Sequence, residues 1–453
     1  MNVWRPDLTG YPGPKYQAIA NALADAVTRG ELKAGDRLPA QRDLARSLGF
    51  DLTTVTRGYE CAQQRGLVVA RGSAGSFVRE AAKATIAAAL QIDTGMNTPP
   101  THHGAVIQHA MSSAMQSVIS RGDVSSFNYQ TAGGSFDARR AGAGLLSRLG
   151  LKSDPEQVVV TAGGQNALHA IMTALLSKGD RVACGRFVYP GFRAIAQRMG
   201  VDLVSLPDMT GDALRTACRE RKIAALYLVP TNDNPTTATI EIGEREKIAR
   251  IAQAEGINII EDDAYGLLPV TPLQPVSSFA PELSWYVLSL SKVISPALRI
   301  AFVRAPGVGQ ALQLGADVHE TAIMAPPLNA AIVTHWLQDQ TFGQLIAAVR
   351  SEANWRMELA KTVLGETPFQ HHPDGYHFWL QLPAGVDSNA LSHSLALAGV
   401  GSIPSTRFAV EPSTEQALRV SLGGAADQES LQNALRVLAG HLSASLGRWD
   451  ALV

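Results

Sequence analysis

Six short apolar runs set the terms for the centre of this chain: residues 158–160, 181–183, 225–229, 258–260, 285–288 and 300–303. Segments with helical spacing alternate with them, a pattern that predicts an α/β fold with a mostly parallel sheet. In sheets of this kind ligands bind beyond the carboxyl ends of the strands. The residues that follow each run are therefore where chemistry is to be sought.

Four polar constellations stand at those places. Residues 161–168, Thr-Ala-Gly-Gly-Gln-Asn-Ala-Leu, form a glycine turn feeding a helix, which would aim free backbone N–H groups and a positive helix end at an anion. Residues 230–237, Pro-Thr-Asn-Asp-Asn-Pro-Thr-Thr, make a polar loop in which a proline presets a side-chain amide. Taken singly, the first is an ordinary turn and the second an ordinary loop. In the third, an apolar strand ends in Glu261, Asp262 and Asp263, with Tyr265 two positions on. Without histidine beside them, these carboxylates suit a metal site or pairing with a buried cation. The fourth sets Lys292 among Ser289 and Ser291 and adds Arg299 seven positions later, which supplies a Schiff-base amine and a phosphate clamp.

At 453 residues the chain is too long for one ordinary core and reads as two or three domains. It has no apolar run of about 18 residues and no charged-then-apolar opening segment, so a cytoplasmic location and no membrane partner are expected. Cys61, Cys184 and Cys218 lie far apart without Cys-x-x-Cys spacing, which argues against a disulfide framework or a zinc motif and predicts buried free thiols. The pairs His102-His103 and His371-His372 are not spaced as metal ligands on a helix and read as loop residues; no metal is expected.

The first 79 residues carry 11 Lys and Arg against 7 Asp and Glu, a mild basic excess that signals nucleic acid only weakly. The pattern is more telling. Ile19, Ala20, Leu23 and Val27 make the stripe of a first helix, with Gly30 placed to stop it. Leu44, Ala45 and Leu48 give a second short helix ending at Gly49. After Asp51, a good N-cap, residues 52–65 form a third, with Thr53, Thr54, Thr56 and Arg57 in its first turns, where a recognition helix reaches bases and phosphates. Residues 67–70 and 76–78 flank a basic, glycine-containing tip and predict a β-hairpin wing. The stretch GELKAGDRLPAQRDLARSLGFDLTTVTRGYECAQQRGLVVARGSAGSFV resembles the DNA-binding domain of GntR-type regulators over residues 12–79. That resemblance would place phosphate and base contacts at Arg42, at Thr53, Thr54, Thr56 and Arg57, and at Arg71 and Gly72 in the wing. The alternative is that the same residues are solvated surface groups of a small helical domain that binds another protein.

The four constellations together, in this order, resemble the fold type I pyridoxal phosphate (PLP) enzymes of the aspartate aminotransferase family. The resemblance spans residues 92–453, with 80–91 as a linker after a reader domain of residues 1–79, and implies a smaller α+β subdomain beside the large sheet. It implies that Lys292 carries the cofactor as a Schiff base and that Asp262 pairs with the pyridinium nitrogen. Asn234 and Tyr265 would hold the ring hydroxyl, and Tyr189 would stack on the ring face. Gly164, Gln165, Ser289, Ser291 and Arg299 would cup the phosphate. Tyr129 matches a tyrosine that reaches the phosphate from a partner subunit, which implies a homodimer. Arg419, in Ala-Leu-Arg-Val-Ser, matches the arginine that grips a substrate α-carboxylate. Thr237 stands where the family has glycine, and Gly185-Arg186-Phe187 lacks the usual acidic residue and proline. Arg186, Arg193 and Arg407 are further effector contacts or plain surface arginines.

A GntR-type reader joined to such a domain is the architecture of the MocR subfamily, which the chain resembles from end to end. The resemblance implies a transcriptional regulator that binds promoter DNA and senses PLP, or an amine or amino acid that reacts with it. Two other readings are a working aminotransferase carrying a DNA-binding module, and a regulator that has lost the cofactor and uses the domain only to dimerise. The complete residue set counts against the last.

Overall fold

The computed structural model describes residues 4–8, 10–11, 13–28, 31–33, 35–64, 67–70, 75–78, 97–100, 104–120 and 127–450. The chain divides into two units, residues 1–89 and 90–453. The expected helix stop Gly30, the wing-tip residues Arg71 and Gly72, the linker 80–91 and the pair His102-His103 lie outside the described residues.

In the smaller unit, α1 (Lys15–Thr28), α2 (Gln41–Leu48) and α3 (Leu52–Gln64) precede an antiparallel hairpin of β1 (Val68–Ala70) and β2 (Ser76–Val78). The predicted apolar stripe is its core: Ile19, Leu23, Leu44, Ala45, Val55, Tyr59 and Ala62 are buried together with Val68 and Val78 of the hairpin. Gly58 allows α3 to press on α1, since a Cβ there would lie 3.0 Å from Ile19 Cγ2. Gly49 ends α2 in the left-handed conformation that turns the chain into α3.

The larger unit carries the expected sheet. β3 (Val158–Thr161), β4 (Arg181–Gly185), β5 (Asp202–Leu206), β6 (Ala225–Leu228), β7 (Asn258–Asp262), β8 (Ser284–Ser289) and β9 (Ala301–Arg304) lie in the order β3-β9-β8-β7-β6-β4-β5. All pairs are parallel except those of β9, which runs against both neighbours. Strand alternation divides the core between the two faces. Val158, Val160, Tyr286, Leu288 and Phe302 pack in one layer, Val159, Trp285, Val287 and Val303 in the other.

A second sheet, in the order β10 (Gln370–His371), β11 (His377–Gln381), β13 (Ala417–Ser421) and β12 (Ile403–Pro404), is antiparallel throughout. Phe378, Leu380, Leu418 and Val420 turn one face toward its own core. His377, Trp379, Arg419 and Ser421 therefore occupy the other. His371 lies on the edge strand β10, bonded to the His372 carbonyl, and so is not the loop residue expected. Of the three thiols only Cys184 is fully buried; Cys61 and Cys218 are half-buried. Among the described residues no helix is long and apolar enough to cross a membrane.

Candidate functional site

Parallel pairing brings the carboxyl ends of β4, β6, β7 and β8 to one edge of the large sheet, and β3 joins them through β9, which runs against both β3 and β8. β9 is the exception that helps, because its reversed direction places its start at that same edge. Thr161 and Ser289 both face Ala301, two residues after Arg299. Arg299 is thereby held between the glycine turn of β3 and the serines after β8, and its Nη2 donates to the Ala162 carbonyl at 2.8 Å. Gly163 has φ +86°, and a Cβ there would lie 2.6 Å from Arg299 Nη2. Helix Gly164–Leu175 starts beside it with its first N–H groups directed outward from the turn, while Asn166 Oδ1 accepts from Ala162 N and braces the loop. The buried Ser291 Oγ has no hydrogen-bond partner among the described residues. A guanidinium, a helix N-terminus and an unsatisfied hydroxyl meet here, as an anion requires. The Gln165 side chain donates to Gly191 O, so its backbone N–H is the group it offers.

The carboxylate triplet separates by alternation. Glu261 turns away from this edge and accepts from Val276 N, Ser277 N and Ser277 Oγ, while Asp263 accepts from Tyr286 OH at 2.8 Å. Burial raises both, and the buried cation that offsets this is Arg245, which also ties down the carbonyls of Pro230, Ile240 and Gln274. Asp262 alone shares a face with Ile260 and accepts from Tyr227 OH at 3.1 Å. Burial pushes it up to about 7, against the Tyr227 bond and Lys292, which favour its ionised form. Such a carboxylate is completed by a cation. Lys292 is shifted the other way: burial first, then Arg419 and Arg299, bring it down to about 8 despite Asp262.

At that value about one lysine amine in ten is uncharged at pH 7, against fewer than about one in a thousand for an ordinary lysine. The rate at which Lys292 captures an aldehyde should therefore rise with pH and level off above about 8. Stopped-flow mixing of the apoprotein with PLP measures this; a rate still climbing tenfold per unit at pH 9 and above would show an unshifted amine.

The remaining expected residues surround this lysine. Tyr189, half-buried at the start of helix Pro190–Met199, is raised by burial and by Asp262 and lowered by Arg299, which sets its hydroxyl within reach of both charges. Its ring edge crosses Gly191, where a Cβ would meet Tyr189 Cε1 at 2.4 Å. The buried Asn234 Oδ1 has no partner among the described residues. Tyr265 OH accepts from Asn97 Nδ2, which leaves its own hydrogen to donate. Arg419, buried in the small sheet, lies over the Phe408 ring and close enough to Lys292 and Tyr265 to lower both. Arg186 pairs with Glu415 and Arg193 donates to the carbonyls of Arg407 and Ala409, so both arginines are engaged within the chain. Tyr129 is brought to no part of this site within the chain, being 84% exposed, with Phe127 and Phe136 also exposed.

Residues that no motif marked complete the wall. Asn97, Tyr227, Tyr376, His377 and Ser421 are all buried, and Tyr376 OH donates to the Lys292 carbonyl at 2.9 Å. Their only signal in the sequence is the alternation His-Phe-Trp-Leu at 377–380, which puts His377 on the face of Arg419 and Ser421.

In the smaller unit Arg42, Thr53 and Arg57 are exposed and Thr54 is half-buried. Arg57 stacks on the Tyr16 ring at 4.5 Å, which aims it from the start of α3. Thr56 instead donates to Gln41 Oε1 at 2.9 Å, joining α3 to α2.

Residues 90–438 match the family described as aminotransferase class I and II, and residues 15–78 match the bacterial regulatory proteins of the gntR family. The chain is 29% identical to an uncharacterized HTH-type transcriptional regulator of Bacillus subtilis, YdeF, over 96% of each chain. It is 24% identical to the HTH-type transcriptional regulator TauR of Rhodobacter capsulatus, over 95% of this chain and 97% of that one. Among solved structures, LysN, the α-aminoadipate aminotransferase of Thermus thermophilus complexed with N-(5'-phosphopyridoxyl)-L-leucine, is similar with a TM-score of 0.70. It is 23% identical, covering 79% of this chain and 92% of that one, a likeness that shows the fold.

Proposed function

The chain belongs to the aminotransferase class I and II family, and from that membership we propose that it is a DNA-binding transcriptional regulator whose larger unit holds PLP and senses it, or an amine or amino acid that reacts with it. The observation that carries this reading is the union in one chain of a gntR-type module with exposed Arg42, Thr53 and Arg57 and a buried lysine site with an anion cradle. The relatives aligned over nearly the whole length bear the names of transcriptional regulators, which supports it.

The donor set fits PLP. Two buried polar atoms without a partner among the described residues, Asn234 Oδ1 and Ser291 Oγ, support the fit, since on this reading they would meet the ring hydroxyl and the phosphate. When bound, the cofactor supplies an aldehyde for amines and a protonated ring that withdraws electrons. Lys292 would make the covalent link and Asp262 would accept from the ring nitrogen; Asn234 and Tyr265 would hold the hydroxyl, and Tyr189 would lie against the ring. Ser289, Ser291, Arg299 and the N–H groups of Gly164 and Gln165 would hold the phosphate. Arg419 anchors an effector carboxylate. The exposed Tyr129 completes the phosphate site of a second copy, so the protein is a homodimer with two readers. The reader occupies residues 1–79, the linker 80–91 and the cofactor domain 92–453; the division into units at residues 89 and 90 supports these limits.

Full-length protein should bind the DNA upstream of its own gene, and Arg57→Ala or Arg42→Ala should weaken that binding by about 1–3 kcal/mol while PLP incorporation is unchanged. Fluorescence anisotropy with and without PLP reads both; unaltered affinity in the two variants removes the proposed DNA face. The presence of the amine, the carboxylate and Arg419 together also favours turnover. An amino-acid transamination rate within the ordinary enzyme range of about 1–1000 per second would make the chain an aminotransferase that carries a reader.

A further inference from the structure

Residues 97–100 lie across the site as a short strap. Asn97, Pro99 and Pro100 are buried and Thr98 is half-buried. Two things fix its course. Thr98 passes over Gly423, where a Cβ would come within 1.6 Å of the Thr98 carbonyl oxygen. The turn beneath is rigid, because Arg356 Nη1 donates to the carbonyls of Leu422, Gly423 and Ala425. The other anchor is Asn97, whose hydrogen bonds end on residues lining the site.

The Asn97 amide is oriented without ambiguity. His377 Nε2 faces the Asp233 carbonyl at 3.1 Å and must carry the ring proton, so Nδ1 is an acceptor. Burial and Arg419 hold this imidazole neutral, with its value brought down to about 3. Asn97 Nδ2 donates to His377 Nδ1 at 3.2 Å and to Tyr265 OH at 2.5 Å, and Asn97 Oδ1 accepts from Ser421 Oγ at 2.9 Å. What is left is the backbone carbonyl, and Lys292 Nζ donates to it at 2.6 Å. The strap is therefore tied to the one nitrogen whose hydrogens the chemistry of the site consumes.

We propose that the strap 97–100 reads the chemical state of Lys292 and passes it to the chain that leads to the DNA reader, an inference that rests on the regulator reading above. As a free amine Lys292 holds the Asn97 carbonyl. When its uncharged amine condenses with an aldehyde, a C=N bond replaces the C=O bond, and the oxygen leaves as water with both amine hydrogens. The nitrogen then carries at most one hydrogen, which the neighbouring ring hydroxyl oxygen would take, and the strap loses that anchor. An amine effector that displaces Lys292 from the C=N carbon returns two hydrogens to it and restores the bond. The strap is thus held in the empty and effector-bound states and released in the PLP-loaded one.

Hydrogen exchange at Asn97 and Thr98 in the full-length protein, read beside DNA affinity with and without PLP, tests this. In wild-type protein, loading should speed exchange there and change DNA affinity by at least about fivefold, the lower end of ordinary allosteric coupling. Lys292→Ala, which has no donor in any state, should show the fast exchange and the DNA affinity of the loaded form whether or not PLP is added. Gly423→Ala, which displaces Thr98 but touches no PLP-holding residue, should still incorporate PLP yet have the same DNA affinity with and without it. Ser421→Ala, a change with no steric demand, should narrow the difference by a smaller factor. Exchange at Asn97 and Thr98 unmoved by loading, or a full wild-type response in Gly423→Ala, overturns the proposal. If exchange responds while wild-type DNA affinity does not, the strap senses Lys292 and it is the regulator reading that fails.

Discussion

Lys292→Ala is expected to abolish covalent incorporation of PLP completely, the largest single change any substitution in this protein should produce. Borohydride reduction of the wild-type holoprotein followed by mass analysis should place one pyridoxyl group per chain, on the peptide containing Lys292, and the variant should carry none. Chemistry selects this lysine over the others. Lys247, for comparison, is bonded to the exposed Asp212, whereas burial, with Arg419 and Arg299 nearby, lowers the proton affinity of Lys292. The fold should survive, since the bond that the side chain gives up is the one to the Asn97 carbonyl, a loss of about 1.5–3 kcal/mol for a charged donor. Unchanged far-ultraviolet circular dichroism with no visible absorbance band is the expected pair of results. A pyridoxyl group recovered on the variant at wild-type stoichiometry would mean that another amine is the carrier.

Six of the seven strands of the large sheet were legible because they are largely buried on both faces and read as short apolar runs that end where polarity returns; the edge strand β5, Asp-Leu-Val-Ser-Leu, is partly exposed and was not. Their order was not. The reversal of β9 is set by pairing with β3 and β8, far away in the chain, and with it comes the placing of Arg299 between two turns that no local rule connects. The site residues that lie in motifs were legible for the same reason as the strands: Asp262, Ser289 and Lys292 sit at or just beyond strand ends. Asn97, His377 and Ser421 were not, because they meet across 280 and 324 positions of chain, and each by itself is an ordinary polar residue. Thr56 marks the limit within a motif. Its place in the first turns of α3 suggests a base contact, but its hydroxyl is directed to Gln41, a choice made by how α2 packs on α3.

Arg356→Met should destabilise the larger unit by about 3–5 kcal/mol, the loss found when one partner of a buried ion pair is removed. Arg356 lies in helix Thr341–Leu364 and is almost wholly buried. Its Nε donates to Glu352 Oε1 at 2.8 Å, one helical turn away, and Nη1 reaches Leu422 O at 2.7 Å and Ala425 O at 3.0 Å. Methionine fills most of the volume, so the loss is electrostatic rather than a cavity. Two contributions are then separable: a buried carboxylate deprived of its cation, and carbonyls of the 422–425 turn deprived of their donor. Adding Glu352→Leu removes the first but leaves the second, so the double variant should recover part of the stability and remain about 1–3 kcal/mol below wild type. Calorimetry on the full chain, following the transition that PLP shifts, measures each step. Because Thr98 rests on this turn, Arg356→Met should also speed exchange at Asn97 and Thr98 in the apoprotein, an effect that the double variant should not reverse. A single variant within about 1 kcal/mol of wild type would mean that the turn beneath the strap is held by something other than Arg356.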